Sequence, residues 1–178
     1  MGTLAIRSRW SALALLVLSA ACAQPPAPAQ TAVAGEWLAF DGNWTASGTR
    51  TTLDLDAGHQ TSILHLKGSL LLNGNNKVGV GFRAEVIDFS DSETGMIGRA
   101  VWTDDRGDKL VSTLKTDSIE PGHTIAGAFT GGSGRYAGVT GEYEFQWQYV
   151  LLSDDGSASG RSTGLKGRAR LSPDGAAK

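Results

Sequence analysis

Glu142-Tyr143-Glu144-Phe145-Gln146-Trp147-Gln148-Tyr149 alternates without a break, with every ring on one face and every Glu or Gln on the other. A period of two over this length specifies a half-buried β-strand rather than a helix. The aromatic wall of Tyr143, Phe145, Trp147 and Tyr149 reads as an inward, core-forming face. In the inverse arrangement Glu142 and Glu144 would line a polar lumen and the rings would pack outside. That needs a covering helix, and no amphipathic helix is visible in the sequence.

The same texture extends in both directions. Runs of β-branched, aliphatic and aromatic residues at 43–56, 61–72, 78–89, 97–103, 109–115, 123–130, 141–152 and 159–171 are separated by short turn signals. Ala57-Gly58, Asn73-Gly74-Asn75-Asn76, the polar stretch 90–94, Asp104-Asp105-Arg106-Gly107 and Asp154-Asp155-Gly156 supply the turns. Eight antiparallel strands with short connections leave a sandwich or a closed barrel. The expected fold is all-β, an eight-stranded antiparallel barrel, because at that strand number the interior is either filled or holds one small ligand. Glycines inside the strands (Gly48, Gly68, Gly79, Gly81, Gly164, Gly167) fit the bulges and corners of a barrel.

Between the sixth and seventh strands lies Gly127-Ala128-Phe129-Thr130-Gly131-Gly132-Ser133-Gly134-Arg135-Tyr136-Ala137-Gly138-Val139-Thr140-Gly141-Glu142-Tyr143. Residues 132–137 match G-x-G-x-x-A, with Asp154 and Asp155 near the distance of a ribose-binding acid. A dinucleotide site, however, needs a helix after the loop, and a strand follows instead. The segment resembles the G-G-[ST]-G-x-[YF]-x-G-x-x-G signature of allene oxide cyclase-like and dirigent-like barrels. The resemblance is strong over about seventeen residues and extends weakly, through the strand count, over roughly 44–171. It implies an eight-stranded barrel with an apolar central cavity. Gly131, Gly132, Gly134, Gly138 and Gly141 would shape the loop, and Arg135 and Tyr136 would tuck it against the barrel. Members of the family act on oxylipin or phenylpropanoid intermediates or catalyse cyclisations. No catalytic set of the family maps onto this chain.

The front of the chain carries an address. Arg7 and Arg9 precede an apolar run from Ser11 to Ala21, too short to span a bilayer and laid out as a secretory signal. Leu18-Ser19-Ala20-Ala21-Cys22 resembles a bacterial lipobox, with Cys22 as the lipidated first residue. Ala21-Cys22-Ala23 also fits an ordinary A-x-A cleavage site. Three of the five prolines fall in residues 23–30, which reads as an extended tether. The expected organisation is a signal peptide at 1–21, a Pro/Ala-rich tether at 22–34, a barrel domain at 35–172 and a flexible tail at 173–178. The expected location is the cell envelope, as an outer-membrane lipoprotein or otherwise a secreted or periplasmic protein. Without residues 1–21 the chain carries 14 basic and 18 acidic residues, a balance that disfavours nucleic acid.

Chemistry is sparser. The single cysteine excludes an internal disulfide, and His59, His65 and His123 lack metal-ligand spacing, so no metal or cofactor is expected. The acidic pairs at the turns support turn geometry. Arg83 and Glu85 share a face with Ile87 and Phe89 in the middle of a strand. If that face looks inward, Glu85 becomes a candidate general acid or base with Arg83 beside it; if it looks outward, the face carries a cross-strand surface ion pair. Trp44, Trp102 and Tyr149 are candidates for apolar cavity lining. The preferred function is binding of a small apolar or amphipathic molecule by a membrane-tethered barrel. A cyclase or isomerase and a solidly packed envelope protein are the alternatives, and homo-oligomerisation is left open. A cavity of ligand size would count against the packed barrel, and a polar group of shifted pKa inside it would favour the enzyme.

Overall fold

The computed structural model describes residues 35–73 and 78–172. Cys22, the signal and tether at 1–34, and the tail at 173–178 lie outside them. Eight strands follow in chain order: β1 (Trp37–Asp56), β2 (His59–Leu72), β3 (Gly81–Asp91), β4 (Gly95–Thr103), β5 (Lys109–Thr116), β6 (Thr124–Gly132), β7 (Thr140–Leu152) and β8 (Ser157–Arg170). Each pairs antiparallel with its neighbours, and β1 pairs with β8 from Trp37↔Arg170 to Thr49↔Ser157. The sheet is therefore a closed barrel without a free edge. The expected strand positions hold, with β1 starting earlier and β3 later than their sequence runs. Val78 is not in a strand but is fully buried beneath the chain that leads into β3.

Closure makes side-chain parity a matter of inside or outside. In β7 Tyr143 and Phe145 are buried while Glu142 and Glu144 are exposed, so the rings face inward. Even-numbered positions of β1 to β5 do the same, as in Phe82, Ala84 and Val86 of β3. The two ends of the barrel differ. The connections after β2, β4 and β6, together with the chain entering β1 and leaving β8, gather at one end. The connections after β1, β3, β5 and β7 gather at the other.

The first end is sealed. Trp102 sits among Phe40, Phe82, Phe129 and Tyr143 with ring centroids 4.8–6.1 Å away. Gly127 makes room for this packing, because a Cβ there would run into the Tyr143 ring. The Tyr143 hydroxyl shares a hydrogen bond of 2.7 Å with Ser112, so its polar tip is satisfied inside the core. Beyond this layer the Gly-rich connection folds over the opening as a single 3-10 turn, Gly134–Tyr136. Tyr136 is fully buried and donates to the Val78 carbonyl at 2.9 Å. Burial pushes its phenol up to about 12. Arg135 pairs with the buried Asp104 carboxylate at 3.1 Å. The other oxygen of Asp104 accepts from the backbone N–H groups of Arg106 and Asp108, both at 2.9 Å. Arg135 and Tyr136 thus tuck the loop down, as the motif implied.

Gly134 fixes the start of that turn. It has φ +55, and a Cβ there would collide with the Asp108 carboxylate, which accepts from the Arg135 backbone N–H at 3.2 Å. Gly107 has φ +88 but open space around it. Gly107→Ala therefore meets only the left-handed backbone penalty, about 1–2 kcal/mol. Gly134→Ala meets that penalty and the displacement of Asp108, and loses about 1 kcal/mol more. Urea denaturation of the two variants measures the difference, and equal losses would show that the Asp108 contact contributes nothing.

Candidate functional site

The other half of the barrel is hollow. A cavity of about 500 Å³ opens between the turns at the second end. Its apolar wall is made by Trp44, Leu64, Leu66, Val86, Met96 and Leu114, continued by Phe145, Trp147 and Tyr149 from β7. The segment between β5 and β6, residues 117–123, forms part of the mouth. β8 presents small inward residues, Ala158, Gly160 and Ser162, in this half of the barrel. The Trp147 ring lies where a Cβ on Gly160 would go. The interior is therefore neither a continuous lumen nor a solid core.

Two of the three proposed lining aromatics are in this wall. Trp44 is buried, with its ring 4.9 Å from Trp147, and Tyr149 stands at the mouth, 43% exposed and 6.1 Å from Trp147. Trp102 is not in the wall; it belongs to the packed layer at the sealed end. Arg83 and Glu85 also require correction, because their face of β3 looks outward. Glu85 bonds His65 at 2.7 Å and pairs with Lys67 at 3.0 Å on the barrel's exterior. His65 first, then Lys67, hold its carboxyl below the usual range. The outward alternative, a cross-strand ion pair, is the observed one, made with His65 and Lys67 of β2. The residues around them, Ile63, Ile87, Phe89 and Ile97, form an exposed apolar patch.

The carboxyl that does enter the barrel is Asp88, three positions further along the same strand. It continues the inward series Phe82, Ala84, Val86 and is 93% buried, its relative exposure being 7%. Across the sheet it is flanked by Leu64 of β2 and Gly98 of β4. A Cβ on Gly98 would press on that of Asp88, so the glycine leaves room for the carboxyl but offers no donor. Arg50, paired across from Leu64, is held one strand further away. Its Nε donates to Ser62 Oγ at 3.1 Å, and Ser62 Oγ bonds Ser90 Oγ at 2.9 Å. Among the described residues no hydrogen bond or ion pair reaches the Asp88 carboxyl. Desolvation raises its pKa to about 7, against a weaker opposing pull from the Arg50 charge.

The mouth is acidic. Each of the four connections around it carries two carboxylates at or beside the turn: Asp54 and Asp56, Asp91 and Glu93, Asp117 and Glu120, Asp154 and Asp155. Asp91 accepts from the backbone N–H groups of Glu93 and Thr94 at 2.8 and 3.1 Å, and Asp155 from Ser157 at 2.8 Å. These donors hold both groups below the usual carboxylate range, so they are charged at neutral pH. Three basic groups stand among them: His59 bonds Asp91 at 3.1 Å and lies 3.8 Å from Glu93, Lys115 lies 3.6 Å from Asp117, and His123 lies 3.7 Å from Glu120. The Asp91 hydrogen bond raises the His59 pKa, so His59 offsets part of the negative charge, and the carboxylates still outnumber the cations. No cluster of metal-ligating side chains is found among the described residues.

Asp88 makes stability depend on pH in a specific direction. Its folded pKa lies above its unfolded value of 3.8, so the folded state binds the proton more tightly. Its contribution therefore falls as pH rises from about 4 to about 7 and is flat outside that window. The full shift corresponds to about 2–4 kcal/mol. Asp88→Asn removes this slope: the variant gains on the parent between pH 4 and 7 and keeps the gain at pH 8. Denaturation curves at pH 4, 6 and 8 measure it, and a pH-independent difference between the two proteins would refute it.

No family model matches the chain, and no curated protein does. Among solved structures, the pterocarpan synthase dirigent protein GePTS1 is similar over 86% of this chain and 99% of its own, at 14% identity and a TM-score of 0.47.

Proposed function

We propose that this protein binds a small apolar or amphipathic molecule inside its barrel. The observation that carries the reading is the hollow half: about 500 Å³ of aromatic and aliphatic wall around one unpartnered carboxyl. That volume lies within the usual range of ligand sites, roughly 300–1,000 Å³, and its aromatic and aliphatic wall is accompanied by polar side chains, among them Arg50, Glu120, His123 and Gln148. It also argues against a barrel that serves only as a packed structural unit. The residues that make the site are Trp44, Trp147 and Tyr149 as walls and Asp88 as the polar contact. Arg50 and the serines behind it lie to one side.

A second reading, an isomerase or cyclase acting on a small unsaturated substrate, draws support from Asp88 itself. A carboxyl with a pKa near 7 is divided between acid and base at neutral pH, the condition that favours proton transfer to or from a bound substrate. The cavity would supply the folded conformation of the substrate, and Asp88 the proton. Arg83 and Glu85, facing solvent, have no part in this chemistry.

The proposed setting is the cell envelope. Arg7, Arg9 and the apolar run to Ala21 act as an export signal, Cys22 carries the lipid, and residues 23–34 act as a tether. Two acylated signals or their equivalent are needed for stable anchoring. Cys22→Ala should therefore move the protein from the membrane fraction to the soluble one. A variant that stays with the membrane would overturn the anchor.

Native mass spectrometry of the full chain purified from its host should show an added mass of small-molecule size. An apolar fluorophore should displace it and quench the emission of Trp44 and Trp147. A barrel that is always empty and indifferent to such probes would overturn the binding reading. Conversion of the co-purified compound by the parent, but not by an Asp88→Asn variant that still binds it, would select the second reading.

A further inference from the structure

We infer that the cavity selects ligands bearing a positive charge, in the form of a protonated amine on an apolar body. The inference rests on the ligand-binding reading and names the chemical class that the site would take. Two independent observations lead to it. The first is Asp88, nine-tenths buried, lining the cavity and without a partner among the described residues. A carboxyl in that condition has lost most of its water, with only the Arg50 charge acting in its favour. Its two cross-strand neighbours, Leu64 and Gly98, bring no side-chain donor. An ammonium group entering the cavity supplies both the missing donor and the missing countercharge.

The second observation is the ring of carboxylates at the mouth. Two on each of the four connections set a negative potential over the entrance to a low-dielectric cavity, which concentrates cations and repels anions on approach. Each pair taken alone has a role in its own turn. They converge on the open end with an excess of acid, whereas at the sealed end Asp104, Asp105, Asp108 and Glu142 are balanced by Arg106, Lys109, Arg135, Arg168 and Arg170, with Arg135 paired to Asp104 and Arg168 to Glu142.

The other charged groups facing the cavity are Arg50, Glu120 and His123. Arg50 is the feature that would favour the opposite ligand, a carboxylate. It is held by Ser62, however, and an anion must cross the acidic mouth to reach it. Glu120 adds to the cation preference, with His123 beside it at 3.7 Å. Trp44, Trp147 and Tyr149 line the same cavity and supply aromatic surface for the ligand's apolar body, and the indole N–H groups of Trp44 and Trp147, buried without a partner among the described residues, can donate to an acceptor on that body.

Three probes of similar shape test the inference: 1-naphthylmethylamine, 1-naphthalenemethanol and 1-naphthoic acid, titrated into the full chain at pH 7.5 by calorimetry. The amine should bind at least about tenfold more tightly than the alcohol, and the acid more weakly than either. Asp88→Asn should remove the amine's advantage over the alcohol. Raising ionic strength from about 0.01 M to 0.15 M in the parent protein should slow association of the amine and not of the alcohol, a readout that needs no variant. An amine that binds no better than the alcohol, or whose advantage survives Asp88→Asn, overturns the inference while leaving the ligand-binding reading intact. So does a preference for the acid that disappears in Arg50→Gln. Failure of all three probes to bind overturns both.

Discussion

Closing the sheet between β1 and β8 is the constraint from which the other features follow. A closed barrel has no edge to protect, because every strand is paired on both sides. Every second side chain is then committed to an interior of fixed width, and volume on the inner face has to be matched residue by residue around the ring. Where aromatic residues face one another, as Phe40, Phe82, Trp102, Phe129 and Tyr143 do, the interior is full. Toward the other end, where Leu64, Leu66, Val86, Met96 and Leu114 line the wall with Trp44 and Trp147, it is not.

That division assigns different tasks to the two ends. At the sealed end, polar groups are paired: Tyr136 with the Val78 carbonyl, Arg135 with Asp104, Asp104 with two backbone N–H groups. At the hollow end Asp88 is left alone in apolar surroundings, a cost in stability that the well-packed half has to offset. Native proteins tolerate such a group mainly where its interaction is supplied by something other than the chain itself. The acidic turns around the mouth face the same region, although none of them touches Asp88.

Much of the fold was legible in the sequence, and less of the site. The alternation of Glu142 to Tyr149 set the parity of β7 because polar and apolar residues are cleanly sorted there. The glycine-dense motif located the loop and the tucked Arg135 and Tyr136. β3 was different: Phe82 and Val86 lie on one face, Ile87 and Phe89 on the other, and apolar content alone does not choose between them. The pattern of β3 alone therefore leaves the inward placement of Asp88 undetermined. The available signal was the neighbouring strand, where Leu64 and Leu66 are inward and pair with Asp88 and Val86. Trp102 was assigned to the cavity wall because nothing local to β4 distinguishes the filled end of a barrel from the hollow one. That distinction depends on residues of five other strands.

Trp37 and Arg170 are cross-strand partners, so the chain enters and leaves the barrel side by side, at the end closed by Tyr136. Whatever is joined to either terminus, whether a membrane anchor, a fusion domain or a chip surface, attaches to the base of the vessel. The mouth is at the far end, a strand's length away. A ligand that entered at the mouth, as proposed, would do so at the end opposite to the points where the chain joins the barrel.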